Sequence, residues 1–165
     1  GGVRMEEKKR KAVIGLGANL GEREETIRRA LEAVNALPGT KVLRQAPLYE
    51  TAPVGYLDQP NFLNTAAEVE TSLSPRAFLG ACLGIEAALG RVRTFPNAPR
   101  VVDVDLLLME GVSTEEAELC LPHPRMRERG FVLLPLEALY PEGRALGFDF
   151  SADILRVDRS GVRRL

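Results

Sequence analysis

Two aspartates, Asp103 and Asp105, are separated by a single residue inside the apolar segment VVDVDLLLM. Because side chains two apart on a β-strand leave the same face, both carboxylates should project together, about 6.5 to 7 Å apart at the backbone. Carboxylate oxygens suit Mg²⁺, which commonly takes one or two of them together with substrate phosphates. The alternative is a pair of edge-strand carboxylates ion-paired with arginine, and the spacing alone does not decide between the two.

Arginine supplies 18 of the 22 basic residues, and all four lysines lie within the first 41 residues. No lysine stands in a Gly-x-x-x-x-Gly-Lys-Ser/Thr loop, so any phosphate must be bound by arginine, whose planar fork suits bidentate contact. As a group beside two carboxylates, the neighbouring arginines favour a polyphosphate site over a solvated surface with scattered ion pairs. The six are Arg91, Arg93 and Arg100 before the acidic strand and Arg125, Arg127 and Arg129 after it.

The single histidine and one aromatic–amide pair are further candidates. His123 lies between two prolines in a loop that also carries arginines, so we predict a phosphate contact. A lone histidine more often has only a structural hydrogen-bonding role, which is the alternative. Phe62 and Asn64 lie beside a Pro-rich segment and could hold a flat polar ring, with the aromatic stacking and the amide binding an edge. The alternative places Phe62 in the core.

Three glycines, Gly15, Gly17 and Gly21, follow an apolar run and precede a helical pattern. Their spacing differs from the dinucleotide-binding Gly-x-Gly-x-x-Gly, which also needs a parallel βαβ unit. We therefore interpret them as a tight strand-to-helix turn.

The periodicity predicts the elements that must position these residues. A buried strand at KAVIGLGAN is followed by a helix that ends at Pro38-Gly39, and KVLRQAPLYET has strand composition. From Leu63 the period is two, and Ser74-Pro75 is typical of a helix start. FVLLPLEAL is predicted as a short helix, and the apolar face of the acidic strand should carry Val102, Val104, Leu106 and Leu108. The order β-α-β-β-α-β predicts an α+β, ferredoxin-like antiparallel sheet with two helices on one face and additional C-terminal elements.

Composition limits the class of protein. The 165 residues, 45% of them hydrophobic, predict one domain over 1–165, with 1–10 as a disordered or vector-derived terminus. A net charge of −1 argues against nucleic acid or an anionic membrane as partners. No apolar run approaches about 18 residues, and no signal-peptide pattern opens the chain. Cys82 and Cys120 are expected to be free thiols, and the location to be cytoplasmic.

These motifs together resemble the 6-hydroxymethyl-7,8-dihydropterin pyrophosphokinases of folate biosynthesis. The resemblance covers the chain from about Ala12 to Tyr140, with the motifs in order and at family-like spacing. It rests on the segments GLGANLGER, YETAPVGYLDQPNFLN, IEAALGRVR, PRVVDVDLLL and LPHPRMRERGFVLLPL. It implies an ATP-dependent enzyme that transfers an intact pyrophosphoryl group to the pterin hydroxymethyl and releases AMP, with two Mg²⁺ ions and two small-molecule substrates. Apart from the resemblance, we expect a monomer.

The resemblance also implies roles for individual residues. Asp103 and Asp105 would be catalytic Mg²⁺ ligands, with Arg91 and Arg100 acting on the reacting phosphates. The implied pterin contacts are Thr51, Pro53, Val54 and Asn64, with Phe62 and Phe131 on the two faces of the ring. The implied ATP contacts are Glu86, Arg91, Arg93, Arg100, His123 and Arg129.

Two other classes of protein are consistent with part of the pattern. Another Mg²⁺-dependent nucleotide transferase, such as a D-x-D glycosyltransferase, would use the same carboxylates, but the chain is short for that fold. A non-catalytic ferredoxin-like ligand-binding module would share the element order, but it gives no reason for two carboxylates beside arginine-rich loops.

Overall fold

A mixed α/β fold built on an antiparallel sheet emerges from the computed structural model, which describes residues 8–52, 60–90 and 102–165. The first elements are β1 (Arg10–Ala18), α1 (Arg23–Asn35), β2 (Thr40–Gln45), β3 (Tyr49–Thr51), β4 (Phe62–Thr71), α2 (Pro75–Ala88) and β5 (Asp103–Met109). They are followed by β6 (Thr114–Glu115), β7 (Cys120–Leu121), a 3-10 helix (Met126–Glu128), α3 (Gly130–Leu139), β8 (Arg144–Ala145), β9 (Phe148–Asp149), α4 (Ser151–Arg156) and β10 (Val162–Arg164).

The main sheet has the strand order β10-β3-β4-β1-β5, and all its pairs are antiparallel. Strands β2 and β3 pair with successive stretches of β4, so they share one side of that strand, and β10 continues the sheet beyond β3. The predicted terminus over 1–10 overlaps this sheet, because Arg10 already pairs with Thr71 of β4. Residues 1–7 of that predicted terminus lie outside the described residues.

Local signals explain where the helices begin and end. The Ser74 hydroxyl accepts a hydrogen bond from the Ala77 backbone N–H at 3.2 Å, and Pro75 occupies the first helical position of α2. This confirms the predicted helix start, since an N-cap side chain satisfies one of the orphan donors of the first turn. Helix α1 ends before Pro38-Gly39, where Gly39 has φ +58°.

The sheet carries a hydrophobic core on each face. One core joins it to α1 and α2 through residues such as Ile14, Ile27 and Phe78. The other joins its opposite face to α3 and the elements that follow, including Leu107 and Leu133. The predicted pair of helices on one face corresponds to α1 and α2, but α3 covers the opposite face, for which the element order predicted no helix.

A β-bulge changes one predicted orientation. Between β1 and β5 the register shifts after Val13, which lies opposite Leu108, while Ile14 lies opposite Leu106. Leu107 is therefore the extra residue of the bulge. Because one extra residue reverses the alternation beyond it, Leu108 packs in the α3 core and the prediction that it shares a face with Leu106 is wrong.

No helix in the described part of the chain combines the length and the apolar character that crossing a bilayer requires.

Candidate active site

A cavity of about 340 Å³ opens on the α3 face of the sheet, where β1, β4 and β5 lie side by side. Its walls come from strands β1, β3, β4 and β5, from the loop after β7, and from the first turn of α3. Eight of the predicted site residues line this one cavity: Thr51, Phe62, Asn64, Asp103, Asp105, His123, Arg129 and Phe131.

Strand register explains why the amide and the carboxylates meet here. Gly17 of β1 lies opposite Asn64 on one side and Asp103 on the other. Gly15 likewise lies between Ala66 and Asp105. With neighbouring strands about 4.8 Å apart, Asn64 and Asp103 are separated by about 10 Å at the backbone, with only a glycine between them.

Gly15 and Gly17 form the floor of the cavity, which corrects the prediction that they belong to a turn. Both lie inside β1, and of the three glycines only Gly21, with φ +66°, follows the strand into the turn before α1. A Cβ atom at Gly17 would lie 2.9 Å from Asn64 Oδ1, closer than real Cβ atoms come. The signal in the sequence was their spacing of two, which matches that of the aspartates and places all four residues on one face.

One end of the cavity carries an amide, a hydroxyl and two aromatic rings. Asn64 Nδ2 donates a hydrogen bond to Thr51 Oγ1 at 2.7 Å, and both side chains are buried. Phe62 enters from the sheet and Phe131 from the first turn of α3, and both are half-buried. This end is suited to a flat heteroaromatic ring, because the phenyl rings offer stacking surfaces and the amide offers a donor and an acceptor.

The other end carries the two carboxylates, and two cationic or titratable side chains lie nearby on the cavity wall. Asp103 and Asp105 are half-buried on β5, as the spacing predicted. His123 is held beside the strand because its backbone N–H donates to the Leu107 carbonyl at 2.9 Å. The Arg129 guanidinium lies 5.5 Å from the centroid of the Phe131 ring.

His123 has a perturbed pKa. Burial lowers the pKa of its imidazole below the usual value of 6.5, and the positive charges of Arg129 and Arg125 lower it further. The imidazole is therefore held neutral in an environment that disfavours another positive charge. Such surroundings suit a ligand that brings negative charge, because an anion would offset the arginines.

Several predicted site residues occupy other places. Glu86 is buried on α2, where its Oε1 accepts the Val104 backbone N–H at 2.8 Å, so it anchors the peptide between the two aspartates. Arg127 points to the C-terminal elements: it pairs with Asp153 at 2.5 Å, and its guanidinium lies over the Phe148 ring. The predicted residues Pro53, Val54, Arg91, Arg93 and Arg100 lie outside the described residues.

Known proteins share both the sequence pattern and the predicted chemistry. A family model for 7,8-dihydro-6-hydroxymethylpterin-pyrophosphokinase (HPPK) matches residues 13–141. A Methylorubrum extorquens protein named 2-amino-4-hydroxy-6-hydroxymethyldihydropteridine pyrophosphokinase is 41% identical over 155 residues, which are 94% of this chain and 98% of that protein. A Bacillus subtilis protein of the same name is 40% identical over 152 residues, 92% of this chain and 88% of its own length.

Solved structures share the fold. A crystal structure described as HPPK-DHPS in complex with substrates superposes with a TM-score of 0.71 at 14% identity, over 95% of this chain and 46% of that one. A Plasmodium falciparum HPPK-DHPS structure with pterin and p-hydroxybenzoate gives a TM-score of 0.69 at 16% identity, over 96% of this chain and 48% of that one. This chain thus spans about half of each of these two structures.

The mixed α/β fold is therefore shared with solved HPPK-DHPS structures, and the relatives at about 40% identity are named as pyrophosphokinases, a class of transferase enzyme. From the match of its residues 13–141, the chain belongs to the 7,8-dihydro-6-hydroxymethylpterin-pyrophosphokinase family.

Proposed function

We propose that this protein transfers the pyrophosphoryl group of ATP to the hydroxymethyl group of 6-hydroxymethyl-7,8-dihydropterin, releasing AMP, as a step of folate synthesis. Membership in the family makes the chain an enzyme of the transferase class. The observation that carries the proposal is a single cavity with an amide and two aromatic rings at one end and two carboxylates at the other. A reaction that joins a flat ring to a phosphate chain needs these two kinds of group side by side.

The pterin is assigned to the end that carries Asn64. The hydrogen bond from Asn64 to Thr51 presets both side chains, so little conformational entropy is lost when a ring binds against them. Phe62 and Phe131 would lie on the two faces of the ring. Pro53 and Val54, which lie outside the described residues, complete this end in our proposal by contacts through their backbone.

The carboxylate end fits Mg²⁺. Asp103 and Asp105 present hard oxygen ligands on one face of β5, and the glycines opposite them leave room for substrate phosphates. Among the described residues, no three His, Cys, Asp or Glu side chains form a metal-binding group, so a Mg²⁺ ion on these two carboxylates would need oxygen atoms of substrate phosphates as further ligands. When bound there, two Mg²⁺ ions would neutralise phosphate charge and make the acceptor hydroxyl easier to deprotonate.

The protein's own residues would position the phosphates and move one proton. Arg129 and His123 are assigned to ATP, together with Glu86, whose buried carboxylate also holds the peptide between the aspartates. Arg91, Arg93 and Arg100, outside the described residues, are assigned to the phosphates, with Arg91 and Arg100 closest to the reacting groups in our proposal. Phosphoryl-type transfer depends mainly on such positioning and charge neutralisation, and little on covalent catalysis.

The bond changes balance as a single displacement. The hydroxymethyl oxygen attacks the β-phosphorus of ATP, and a new oxygen–phosphorus bond forms. The bond between the β-phosphorus and the oxygen that bridges to the α-phosphate breaks, so AMP leaves with that electron pair. Asp103 is assigned as the acceptor of the proton that the hydroxyl loses. It is the carboxylate nearer to the ring end, because only Gly17 lies between it and Asn64.

Three finer assignments belong to the same proposal. The order β5-β1-β4-β2, with antiparallel pairs throughout, supports a ferredoxin-like arrangement. A cytoplasmic location is supported by the free thiols of Cys82 and Cys120. Cys82 is also protected from reaction, because burial raises the pKa of its thiol to about 12 and so keeps it protonated. We keep the monomer as the proposed state, with ATP and the pterin, and neither nucleic acid nor membrane, as partners.

Product analysis tests the reaction. Purified protein is incubated with MgATP and either 6-hydroxymethyl-7,8-dihydropterin or its 6-methyl analogue, which lacks the acceptor oxygen, and the nucleotides are separated. We expect AMP, in equal amount to a pyrophosphorylated pterin, only with the hydroxymethyl compound. ADP instead of AMP would mean a simple kinase, and AMP formed with the analogue would mean hydrolysis.

The same preparation separates the other two classes. A sugar nucleotide consumed in place of ATP would indicate a D-x-D glycosyltransferase. Pterin binding without any turnover would indicate a binding module.

A further inference from the structure

The last nine residues, Val157 to Leu165, contact two separate walls of the cavity. They lie outside the range 13–141 that the family model matches. One set of contacts reaches β3, which carries Thr51, and the other reaches α3, whose first turn carries Phe131. We call residues 157–165 the C-terminal brace.

The brace pairs with β3 along the length of that strand. Val162 lies opposite Thr51 and Arg163 opposite Glu50. Backbone hydrogen bonds extend the pairing at both ends: Ala52 N–H donates to the Gly161 carbonyl at 3.2 Å, and Leu165 N–H donates to the Leu48 carbonyl at 2.9 Å. Since hydrogen-bonded pairs alternate along an antiparallel ladder, Arg163 with Glu50 is a hydrogen-bonded pair and the Arg164 N–H faces the open edge.

Glu50 links this pairing to the rest of the ring-binding wall. Its carboxylate lies 3.5 Å from the Arg163 guanidinium and 3.4 Å from that of Arg23, the first residue of α1. Arg23 also donates to the Asn61 carbonyl at 2.8 Å. Glu50 directly precedes Thr51, and Asn61 directly precedes Phe62. Because the network holds Glu50 and Asn61, it restricts the positions of these two cavity residues.

The other contact is with the start of α3. A Cβ atom at Gly130 would lie 3.1 Å from the Asp158 carbonyl oxygen and 3.4 Å from Val157 Cγ2, so any larger residue there would push the brace away by a few tenths of an ångström. Gly130 stands directly before Phe131. Further along the helix, Arg159 pairs with Glu137 at 3.4 Å.

We infer that the C-terminal brace positions Thr51 and Phe131 for the pterin by fixing the separation of β3 from the start of α3. The inference rests on the proposed function. Asp103 and Asp105 lie on β5, and β4 and β1 separate that strand from β3. Loss of the brace should therefore weaken pterin binding while binding of ATP is retained.

A matched pair of proline variants tests this role. Arg163→Pro removes a donor of the ladder, whereas Arg164→Pro removes an N–H that faces the open edge, and each variant loses one arginine. The dissociation constant of the pterin, the KM values of both substrates, kcat and the melting temperature are measured for each variant and for the wild type.

We expect Arg163→Pro to raise the pterin dissociation constant and KM about tenfold, because a displacement of about 1 Å can cost that much or more. Its KM for ATP should stay within about twofold, and Arg164→Pro should resemble the wild type. Equal effects of both variants, or parallel losses for both substrates with a lower melting temperature, would overturn the inference. If Arg163→Pro does not fold, Arg163→Ala decides: the lost ion pair should raise the pterin dissociation constant about threefold, whereas the KM for ATP should not change.

Ligand-free hydrogen exchange separates a failure of this inference from a failure of the proposed function. If the wild type does not turn over the pterin, the proposed function fails. Amide exchange at Ala52, whose N–H donates to the brace, and at Val132, whose N–H donates within the first turn of α3, then still reports on the brace, and should be faster in Arg163→Pro than in Arg164→Pro. Unchanged exchange at both residues would overturn the brace in either case.

Discussion

The two faces of the sheet use the same strands for different purposes. On the α1/α2 face, Leu16, Leu63 and Val104 are buried in a continuous apolar core. On the α3 face, their immediate neighbours in sequence include Gly17 and Asp103, which line the cavity. Because side chains alternate along a strand, each site residue is held in place by core residues on both sides of it. Rigid packing on one face thus positions the polar groups on the other.

The largest effect should come from the cavity face. Asp105→Asn keeps the shape of the side chain but removes a metal-binding charge, which is worth several kcal/mol in the transition state. We expect pterin-dependent AMP formation to fall about a thousandfold, while the free energy of unfolding changes by less than about 1 kcal/mol. Steady-state kinetics and urea denaturation measure the two quantities.

Glu115→Gln is the control, because it makes the same chemical change at an exposed position of β6. Equal activities of the two variants would remove Asp105 from the site.

The opposite pattern is expected on the α1/α2 face. Phe78 is fully buried on α2, so Phe78→Ala should lower the free energy of unfolding by about 3 to 5 kcal/mol. The kcat of the molecules that remain folded should change little, because the side chain is directed away from the cavity. Leu83→Ala on the same helix is the control, since Leu83 is 53% exposed and its loss should cost much less. A large loss of kcat in folded Phe78→Ala would show that the two faces are coupled.

Two glycine substitutions sharpen the comparison. In Gly17→Ala the new methyl group meets Asn64 Oδ1 and forces the amide to move, so we expect the pterin KM to rise about tenfold. At Gly84, within α2, an added methyl group would meet nothing within 4 Å, and Gly84→Ala should stabilise the protein by about 0.5 to 1 kcal/mol. An unchanged pterin KM in Gly17→Ala would contradict the placement of the ring on this floor.

The smallest effect concerns pH. Because the pKa of His123 is lowered by burial and by Arg129 and Arg125, the unfolded chain takes up this proton more readily than the folded one. Stability from this group is thus present above the unfolded pKa of about 6.5 and is lost as the pH falls below it. Relative to His123→Asn, the wild type should lose unfolding free energy between about pH 7 and pH 5. Parallel stability curves for the two proteins would show that the histidine pKa is not lowered.

Much of the site could be predicted from the sequence because its signals are local. The spacing of Asp103 and Asp105 predicts a shared face wherever the strand lies, and the structure confirms that both line one cavity. Ser74 and Pro75 predict a helix start for the same reason, since the N-cap bond joins residues three apart. The family resemblance, carried by whole segments, is confirmed by the match over residues 13–141.

What the sequence alone determined is therefore the set of chemical groups and the faces of the single strands that carry them, because both follow from residue type and a period of two. Only the tertiary structure decided which strands are neighbours, and so that Gly15 and Gly17 form a floor between the amide and the carboxylates. It also decided the bulge at Leu107, the ion pair between Arg127 and Asp153, and the pairing of β10 with β3. These features join residues far apart in the chain, and long-range packing sets them where no local preference can.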